Sequence, residues 1–315
     1  MKKNEALPLV SIPVLTYNGE KFLRKQLDSI FSQTYKNIEV LAYDDASSDD
    51  TVKILKEYEK QHSNFKVFVN TKNVGINQNF VNALKECNGD YISPADQDDI
   101  WYDEKVEFLV NNIGDNILIQ SSTTVIDEDD NKLYQKSIEK FNAFVAHQIM
   151  FKSDIKKFIL SDSDKWCKIS MNYDEFIAKV FFYFKLQPIK LMKDVSLVYR
   201  RHHQTQLTAL NKDRSYLKPL KKFNKRIHRR KVKINAEAEL SEYFLSLKDI
   251  SQETKSILKV LAPLQRKSLR CFHNKELYKF FIKHHNFFYG DLEKDVYTKI
   301  AKKRSRGFWF YALRV

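Results

Sequence analysis

The 315-residue chain holds only six glycines and six prolines, too few for a fibrous or low-complexity protein. Its three cysteines, Cys87, Cys167 and Cys271, are odd in number and far apart, and no CxxC occurs. Neither a disulfide framework nor a zinc site is expected, and a reducing cytoplasm suits such usage. No apolar run reaches the roughly 18 residues a transmembrane helix needs. The opening MKKNEALPLVSIPVL is broken by Asn4, Glu5 and two prolines, and reads as the lead-in to a strand, not as a signal peptide. A soluble chain, or one lying on a membrane without crossing it, is the expectation. Two phosphate-binding motifs are missing as well. No GxGxxG follows the first strand and no GxxxxGK[ST] occurs, which leaves a dinucleotide fold and a P-loop unsupported.

What the chain has in quantity is charge, unevenly placed. Lys and Arg number 54 against 40 Asp and Glu, a net of +14. Residues 211–315 alone carry 27 basic against 10 acidic side chains, a net of +17 that leaves −3 for residues 1–210. A nearly neutral body and a basic tail imply two parts that meet different partners. The expected division is a catalytic domain over 1–210 and a basic, mainly helical region over 211–315.

The first hundred residues repeat one pattern. Leu9–Leu15 is a short apolar run, followed by Asn18-Gly19 and a stretch with Phe22, Leu23, Leu27, Ile30 and Phe31 at helical spacing. A second run, Ile38–Tyr43, leads through DDASSDD to a helix carrying Val52, Leu55 and Tyr58. A third, Phe65–Val69, leads past Gly75 to a helix through Phe80 and Leu84. The fourth, Tyr91–Ala95, runs straight into DQDD. Continuous apolar runs alternating with 3.6-period segments predict an α/β fold with a mostly parallel sheet and helices on both faces. In such sheets ligands bind outside the carboxyl ends of the strands. The loops TYN, DDASSDD and ADQDD are therefore expected to converge on one crevice.

Three carboxylates within four residues, Asp96, Asp98 and Asp99, repel one another unless positive charge lies among them. An EF-hand counted from Asp96 would need an oxygen ligand and a glycine where Ile100 and Trp101 stand, so that reading fails. What remains is a hard divalent cation, Mn²⁺ or Mg²⁺, held by one or two carboxylates and completed by substrate phosphates. The plain alternative is an acidic helix N-terminus favoured by the macrodipole.

The run VSIPVLTYNGEKFLRKQLDSIFSQTYKNIEVLAYDDASSDDT, then NVGINQNF, then GDYISPADQDDIW, resembles the inverting GT-A glycosyltransferases of family 2. The nearest likeness is to the rhamnosyltransferase-like branch of bacterial surface-polysaccharide biosynthesis. It is nearly continuous over residues 9–105, returns at Tyr173-Asp-Glu-Phe176 and Leu197-Val-Tyr-Arg-Arg-His202, and fades beyond about 210. The resemblance implies the GT-A (Rossmann-like) fold and a UDP- or dTDP-sugar donor. Leu15, Tyr17, Asp45, Asn79 and Asp96 would contact the nucleotide. Of these, Tyr17 would stack on the pyrimidine and Asp45 would accept its N3–H, a role suited to a pure acceptor. In the same loop, Ser48 or Asp49 is placed to cap the helix that starts at Thr51, while a helix-surface role is open for Asn79.

Asp96 and Asp98 form the family's DxD, with Asp98 as the main metal ligand. His202, or His203 beside it, would reach back to the same cation. Asp174 would be the general base toward the acceptor hydroxyl. Tyr173 departs from the acid or His that many relatives carry there, and Glu175 stays open as an alternative base. The plain reading of MNYDEFIAKVFFYF is a helix start with acids in its first turn. His147, in AHQIMF, stands where relatives commonly carry a small residue or Cys after Gly; a place lining the acceptor cleft is open for it, and it is not counted among the site residues.

A sugar-nucleotide pyrophosphorylase would want a Gly-rich, basic loop after the first strand, and TYNGEKF is not one. A nucleic-acid-binding reading rests on the basic tail alone and leaves four strand–loop units unexplained, so nucleic acid is not an expected partner. The tail suits an anionic membrane surface better. From Lys212 to Lys233 eleven Lys or Arg accompany one Asp, threaded by Leu217, Leu220, Phe223 and Ile227. Such a basic amphipathic helix lies in the interface. Arg304, Arg306 and Arg314 around Phe308–Tyr311 add aromatics that favour the headgroup layer. The implied acceptor is a growing, lipid-linked glycan at the inner face of the cell membrane. The alternative is that these helices pack on the catalytic domain with a solvated basic face.

Overall fold

A computed structural model describes residues 6–136, 146–169, 171–201, 219–268 and 274–284, with single positions at 286, 294, 298, 301 and 302. Of residues 219–230 only the backbone is described. The chain divides into two compact units, Met1–Asp164 with Asn172–Asp213, and Lys165–Met171 with Arg214–Val315.

In the first unit the expected alternation is realised. Strand β1 (Val10–Thr16) leads to α1 (Glu20–Phe31), β2 (Ile38–Asp44) to α2 (Thr51–Gln61), and β3 (Phe65–Val69) to α3 (Ile76–Glu86). All of β1 is buried, as a strand covered on both faces must be. The three helices turn Leu23, Leu27 and Ile30, then Ile54, Leu55 and Tyr58, then Phe80, Val81 and Leu84, into the interior. β1 pairs in parallel with β2, and β2 with β3.

The fourth run is split into β4 (Tyr91–Ile92) and β5 (Ala95–Asp96), both parallel to β1. Pro94 between them has no N–H to give to a ladder. This interruption sets Asp96 beside Leu15, at the carboxyl end of β1. After β6 (Ile100–Trp101) and α4 (Lys105–Ile113), β7 (Leu118–Ile126) is longer than its apolar centre suggests, and forms a hairpin with β8 (Lys132–Lys136) across the acidic Asp127–Asn131 turn. A 3₁₀ turn at Ala146–Gln148 feeds β9 (Ile149–Lys152), and α5 (Lys156–Leu160) and α6 (Ser163–Trp166) follow. Then come α7 (Tyr173–Tyr183) and β10 (Ile189–Arg201).

The described strands form one sheet in the order β3-β2-β1-β4-β9-β7-β10-β6, with β5 on β1 and β8 on β7. Its first half is parallel. Its second half is mixed, because β9 runs antiparallel to both β4 and β7, and β6 antiparallel to β10. The core gathers Val10, Ile12 and Val14 of β1 with Leu27, Val40, Leu109, Ile119 and Leu197.

In the second unit the described residues are helical, as the loss of strand signals predicts: α8 (Pro219–Ser246), α9 (Gln252–Lys267) and α10 (Lys275–Lys283). Buried Ala238, Leu240 and Phe244 belong to α8, and Leu258, Leu261 and Ala262 to α9. The Ser241 hydroxyl donates to Gln265 Oε1 (2.7 Å), and Arg266 grips Glu242 with two bonds of 2.7 Å. Ser251 and Asn274 cap α9 and α10 through the N–H groups of Thr254 and Leu277. The apolar stripe from Leu217 to Ile227 and the aromatic C-terminus lie outside the described side chains.

Candidate active site

The two acidic strand ends differ in how their charge is met. At the end of β2, Asp44 accepts from Thr16 Oγ1 (2.9 Å) and from the Ser47 N–H (2.8 Å). Asp45 is almost fully buried, at 3% exposure. Its Oδ1 accepts from Asn70 Nδ2 (3.0 Å) and the Val74 N–H (2.7 Å), and its Oδ2 from the Gly75 N–H (2.9 Å). Gly75 has φ +84°, a conformation that favours glycine. Asn79 is not on the surface of α3. It is buried, donates to the Tyr43 carbonyl (2.8 Å) and accepts from Asn70 (2.8 Å), so it braces the loop that Asp45 holds.

The N-cap of α2 is Asp50, whose side chain makes no cap bond, and Asp49 just before it meets the first N–H group of the helix instead. Its Oδ1 takes the Thr51 N–H (3.0 Å) and its Oδ2 the Glu20 N–H (3.2 Å), one carboxylate serving the starts of α1 and α2. Burial works against its charge, but these donors outweigh burial and hold it below the usual carboxylate range. Leu15 is buried beneath the loop, and Tyr17 is half exposed at its rim.

The ADQDD end is met differently. His147 is fully buried, and its Nδ1 lies 3.2 Å from Asp96 Oδ2 and 3.2 Å from Asp99 Oδ2. The ligand atoms of these three side chains all lie within 4.8 Å of one another. Asp99 Oδ2 and His147 Nε2 have no hydrogen-bond partner among the described residues. Burial, then repulsion from Asp96 and Asp98, pushes the Asp99 carboxyl well above its ordinary range. Asp96 is held below its range, because the His147 bond and charge, with Arg200 and the Tyr173 hydroxyl, overcome burial. Burial lowers His147.

Beneath the cluster Lys105 is completely buried. Its ammonium donates to the His147 carbonyl (2.9 Å) and sits 3.1 Å from the Trp101 ring centroid. Burial drives its pKa well down, against the pull of Asp99 and Asp96. Hard carboxylate oxygens, an imidazole and an orphaned buried oxygen together fit a divalent cation such as Mn²⁺ or Mg²⁺.

Asp98 stands outside that cluster, with its carbonyl accepting from Arg201 Nε (3.2 Å). Arg201 also donates to the carbonyls of Asp127 (2.9 Å) and Glu128 (3.1 Å) and pairs with Asp130, tying the acidic turn to the DQDD loop. Its backbone N–H reaches Asp99 Oδ1 (3.2 Å). His202 and His203, the next residues, lie outside the described residues.

Asp174 occupies the first turn of α7. Burial raises its pKa to about 6, with Asp96 and Glu175 adding to the rise and the Glu175 N–H and Arg200 opposing it. Tyr173 stacks on Phe80, with centroids 4.2 Å apart, and donates its hydroxyl to Asp96 Oδ1 (3.4 Å). Thus Asp96 faces His147 with one oxygen and the first residue of α7 with the other.

Sequence reasoning missed His147, Asp99, Lys105 and Arg200 as members of this site. Asp99 had a signal, being the third acid of the cluster. His147 stood out in AHQIMF only as a residue that could line the acceptor cleft, and its meeting with Asp96 and Asp99 depends on β9 lying antiparallel to β4.

Comparison with known proteins follows the same lines. Residues 11–176 match the profile described as Glycosyl transferase family 2. An uncharacterized glycosyltransferase of Rickettsia typhi is 33% identical over 138 residues, 42% of this chain and 42% of its own length. The chondroitin synthase of Escherichia coli is 36% identical over 105 residues, 33% of this chain and 15% of the synthase. The matches thus span less than half the length of these relatives. Among solved structures, S. aureus TarS 1–349 in complex with UDP aligns with a TM-score of 0.58 at 16% identity, over 96% of this chain and 89% of that one. A mannosyltransferase of Pyrobaculum calidifontis in complex with GDP-Man and Mn²⁺ aligns with a TM-score of 0.52 at 15% identity, over 97% and 86%. At these identities the structures show the fold, which is GT-A.

Proposed function

From the premise that this chain belongs to glycosyl transferase family 2, whose profile covers residues 11–176, we propose that it moves a sugar with inversion from a UDP- or dTDP-sugar to a hydroxyl of a growing surface glycan. The carrying observation is Asp96, which meets His147 with one carboxylate oxygen and Tyr173, the neighbour of Asp174, with the other. Donor and base machinery are joined at one side chain. A rhamnosyltransferase-like specificity follows the motif ADQDDIW and belongs to the proposal. The bound nucleotide of TarS, UDP, supports a uracil donor, and the GDP-Man and Mn²⁺ of the mannosyltransferase support a nucleotide-sugar with a divalent cation.

In this reading Tyr17 stacks on the base, and Asp45 keeps one acceptor direction for it beyond the three donors it already holds. Asp96 and Asp98 hold the cation, with His202 one residue beyond the N–H that reaches Asp99. The orphaned Asp99 oxygen favours a second ligand set, Asp96, Asp99 and His147. A divalent ion bound there supplies positive charge against the leaving diphosphate. Asp174 takes the acceptor's proton as its oxygen attacks the anomeric carbon, and its pKa of about 6 keeps it ionised yet basic at neutral pH.

A thermal-shift panel of UDP- and dTDP-sugars, with and without Mn²⁺, tests this reading. Stabilisation by one donor that requires the metal is expected. No stabilisation by any of them overturns it.

The basic residues past 210 complete the proposal by holding the enzyme on an anionic membrane, where a lipid-linked acceptor resides. Among the described residues no helix is long and apolar enough to cross a membrane. Each basic residue near such a surface contributes about 1 kcal/mol. The full chain should sediment with anionic vesicles at low salt and be released at high salt. Replacing Lys221, Lys222, Lys225 and Arg226 by Glu should abolish sedimentation, and unchanged partitioning of that variant contradicts the docking role.

A further inference from the structure

Gln97, the middle residue of the Asp96-Gln97-Asp98 run, makes its contacts with another loop. Its Oε1 accepts the Tyr17 N–H at 2.8 Å, and its Nε2 donates to the Tyr17 carbonyl at 3.0 Å. One side-chain amide thus closes both backbone groups of Tyr17, as a neighbouring strand would. The opposite side of the loop is fixed independently. Ser47 Oγ takes the Asn18 N–H (2.9 Å) and Thr51 Oγ1 takes the Gly19 N–H (2.8 Å).

The same geometry explains a glycine. Gly19 has φ −108°, which any residue can adopt, so its backbone does not demand glycine. A Cβ there would instead lie 2.4 Å from Gln97 Oε1 and 2.6 Å from Gln97 Cδ. Gly19 leaves room for the Gln97 amide.

We propose that Gln97 is a positioning residue that fixes the Tyr17 loop relative to the Asp96–Asp98 carboxylates, setting the distance between the nucleotide's base and its diphosphate. The inference rests on the nucleotide-binding role of Tyr17 given above. The spacing matters because a nucleoside diphosphate is held at both ends. A base platform free to drift from the carboxylates loses the pre-organisation that makes the second contact easy once the first is made. Gln97 touches neither base nor phosphate in this account, and acts through Tyr17.

Gln97→Ala and Gly19→Ala form a suppressor pair. Gln97→Ala removes both bonds, whereas Gly19→Ala displaces the same amide from the other side. Once the amide is gone, the added methyl has nothing to strike. The double variant should therefore be no worse than Gln97→Ala alone.

Amide hydrogen exchange at Tyr17, read by NMR on the full chain, reports the clamp without any ligand. Exchange should quicken at least tenfold in each single variant, and no change in Gln97→Ala overturns the clamp. Calorimetric titration with UDP in saturating Mn²⁺ reports the consequence. Each single variant should bind UDP about tenfold more weakly, as expected for two lost hydrogen bonds to the backbone. The double variant should match Gln97→Ala, and Mn²⁺ titrated alone should bind all four proteins equally. UDP affinity unchanged in Gln97→Ala, or additive losses in the double variant, overturns the positioning role. If wild type binds neither UDP nor dTDP while Tyr17 exchange responds as described, the nucleotide reading and the role built on it fall, and the clamp alone stands.

Discussion

The acids at the end of β2 and those around β5 lie in one sheet and meet opposite fates. Asp44, Asp45 and Asp49 receive hydroxyl, amide and backbone N–H donors from the loops they organise. Asp96 and Asp99 share a single imidazole, and Asp99 keeps a buried oxygen without a hydrogen-bond partner among the described residues. Carboxylates that accept several donors are content as anions and build structure. Carboxylates left short of donors are held ready for positive charge from outside the chain. The same residue type thus serves as scaffold in one loop and as reactive equipment in the next.

The most severe way to break the reactive side is Asp174→Asn. Transfer should fall by roughly 10²-fold or more, as general-base losses do, with donor affinity kept. If Glu175→Gln is the inactive variant instead, the base is the neighbouring residue. In wild type the acidic limb of kcat/KM should have its midpoint near the Asp174 pKa of about 6. Second in size is Asp98→Asn, which should weaken Mn²⁺-dependent nucleotide binding by about tenfold or more while melting like wild type. Full transfer by that variant, or by wild type in excess chelator, contradicts the DxD assignment.

The scaffold side should respond in stability. Asp45→Ala strips acceptors from the Val74 and Gly75 N–H groups and from Asn70, and should cost about 2–3 kcal/mol in denaturant unfolding. Smallest is a stability gain at the base. The folded pKa of Asp174, about 6, exceeds its ordinary 3.8. Its proton therefore favours folding below about pH 4, and that advantage is lost as pH rises through 6. Asp174→Asn should accordingly be more stable than wild type by about 1–2 kcal/mol at pH 8, and no more stable at pH 4.

Much of the parallel half of the sheet was legible, because β1 to β3 are continuous apolar runs divided by helical periods. The mixed half was not. Strands of two to four residues such as β6 and β9 are too short to show a period. The acidic cluster at Asp96–Asp99 was visible as three close carboxylates past a strand end, whereas a role for Asp174 came from the family resemblance alone. Lys105 carries no signal in the sequence, yet it is buried and donates to the His147 carbonyl. The bracing role of Asn79 was hidden too, since only the fold brings Asn70 and the Tyr43 carbonyl to it.

The contrast between the two acidic ends is tested most directly by Mn²⁺ binding in the presence of UDP, followed by electron paramagnetic resonance. Asp96→Asn removes a carboxylate from the donor-poor cluster, and Asp49→Asn removes one that is already satisfied. The account predicts one tightly held ion in wild type and in Asp49→Asn, and its loss or at least a tenfold weakening in Asp96→Asn. Equal Mn²⁺ binding by all three proteins would contradict it.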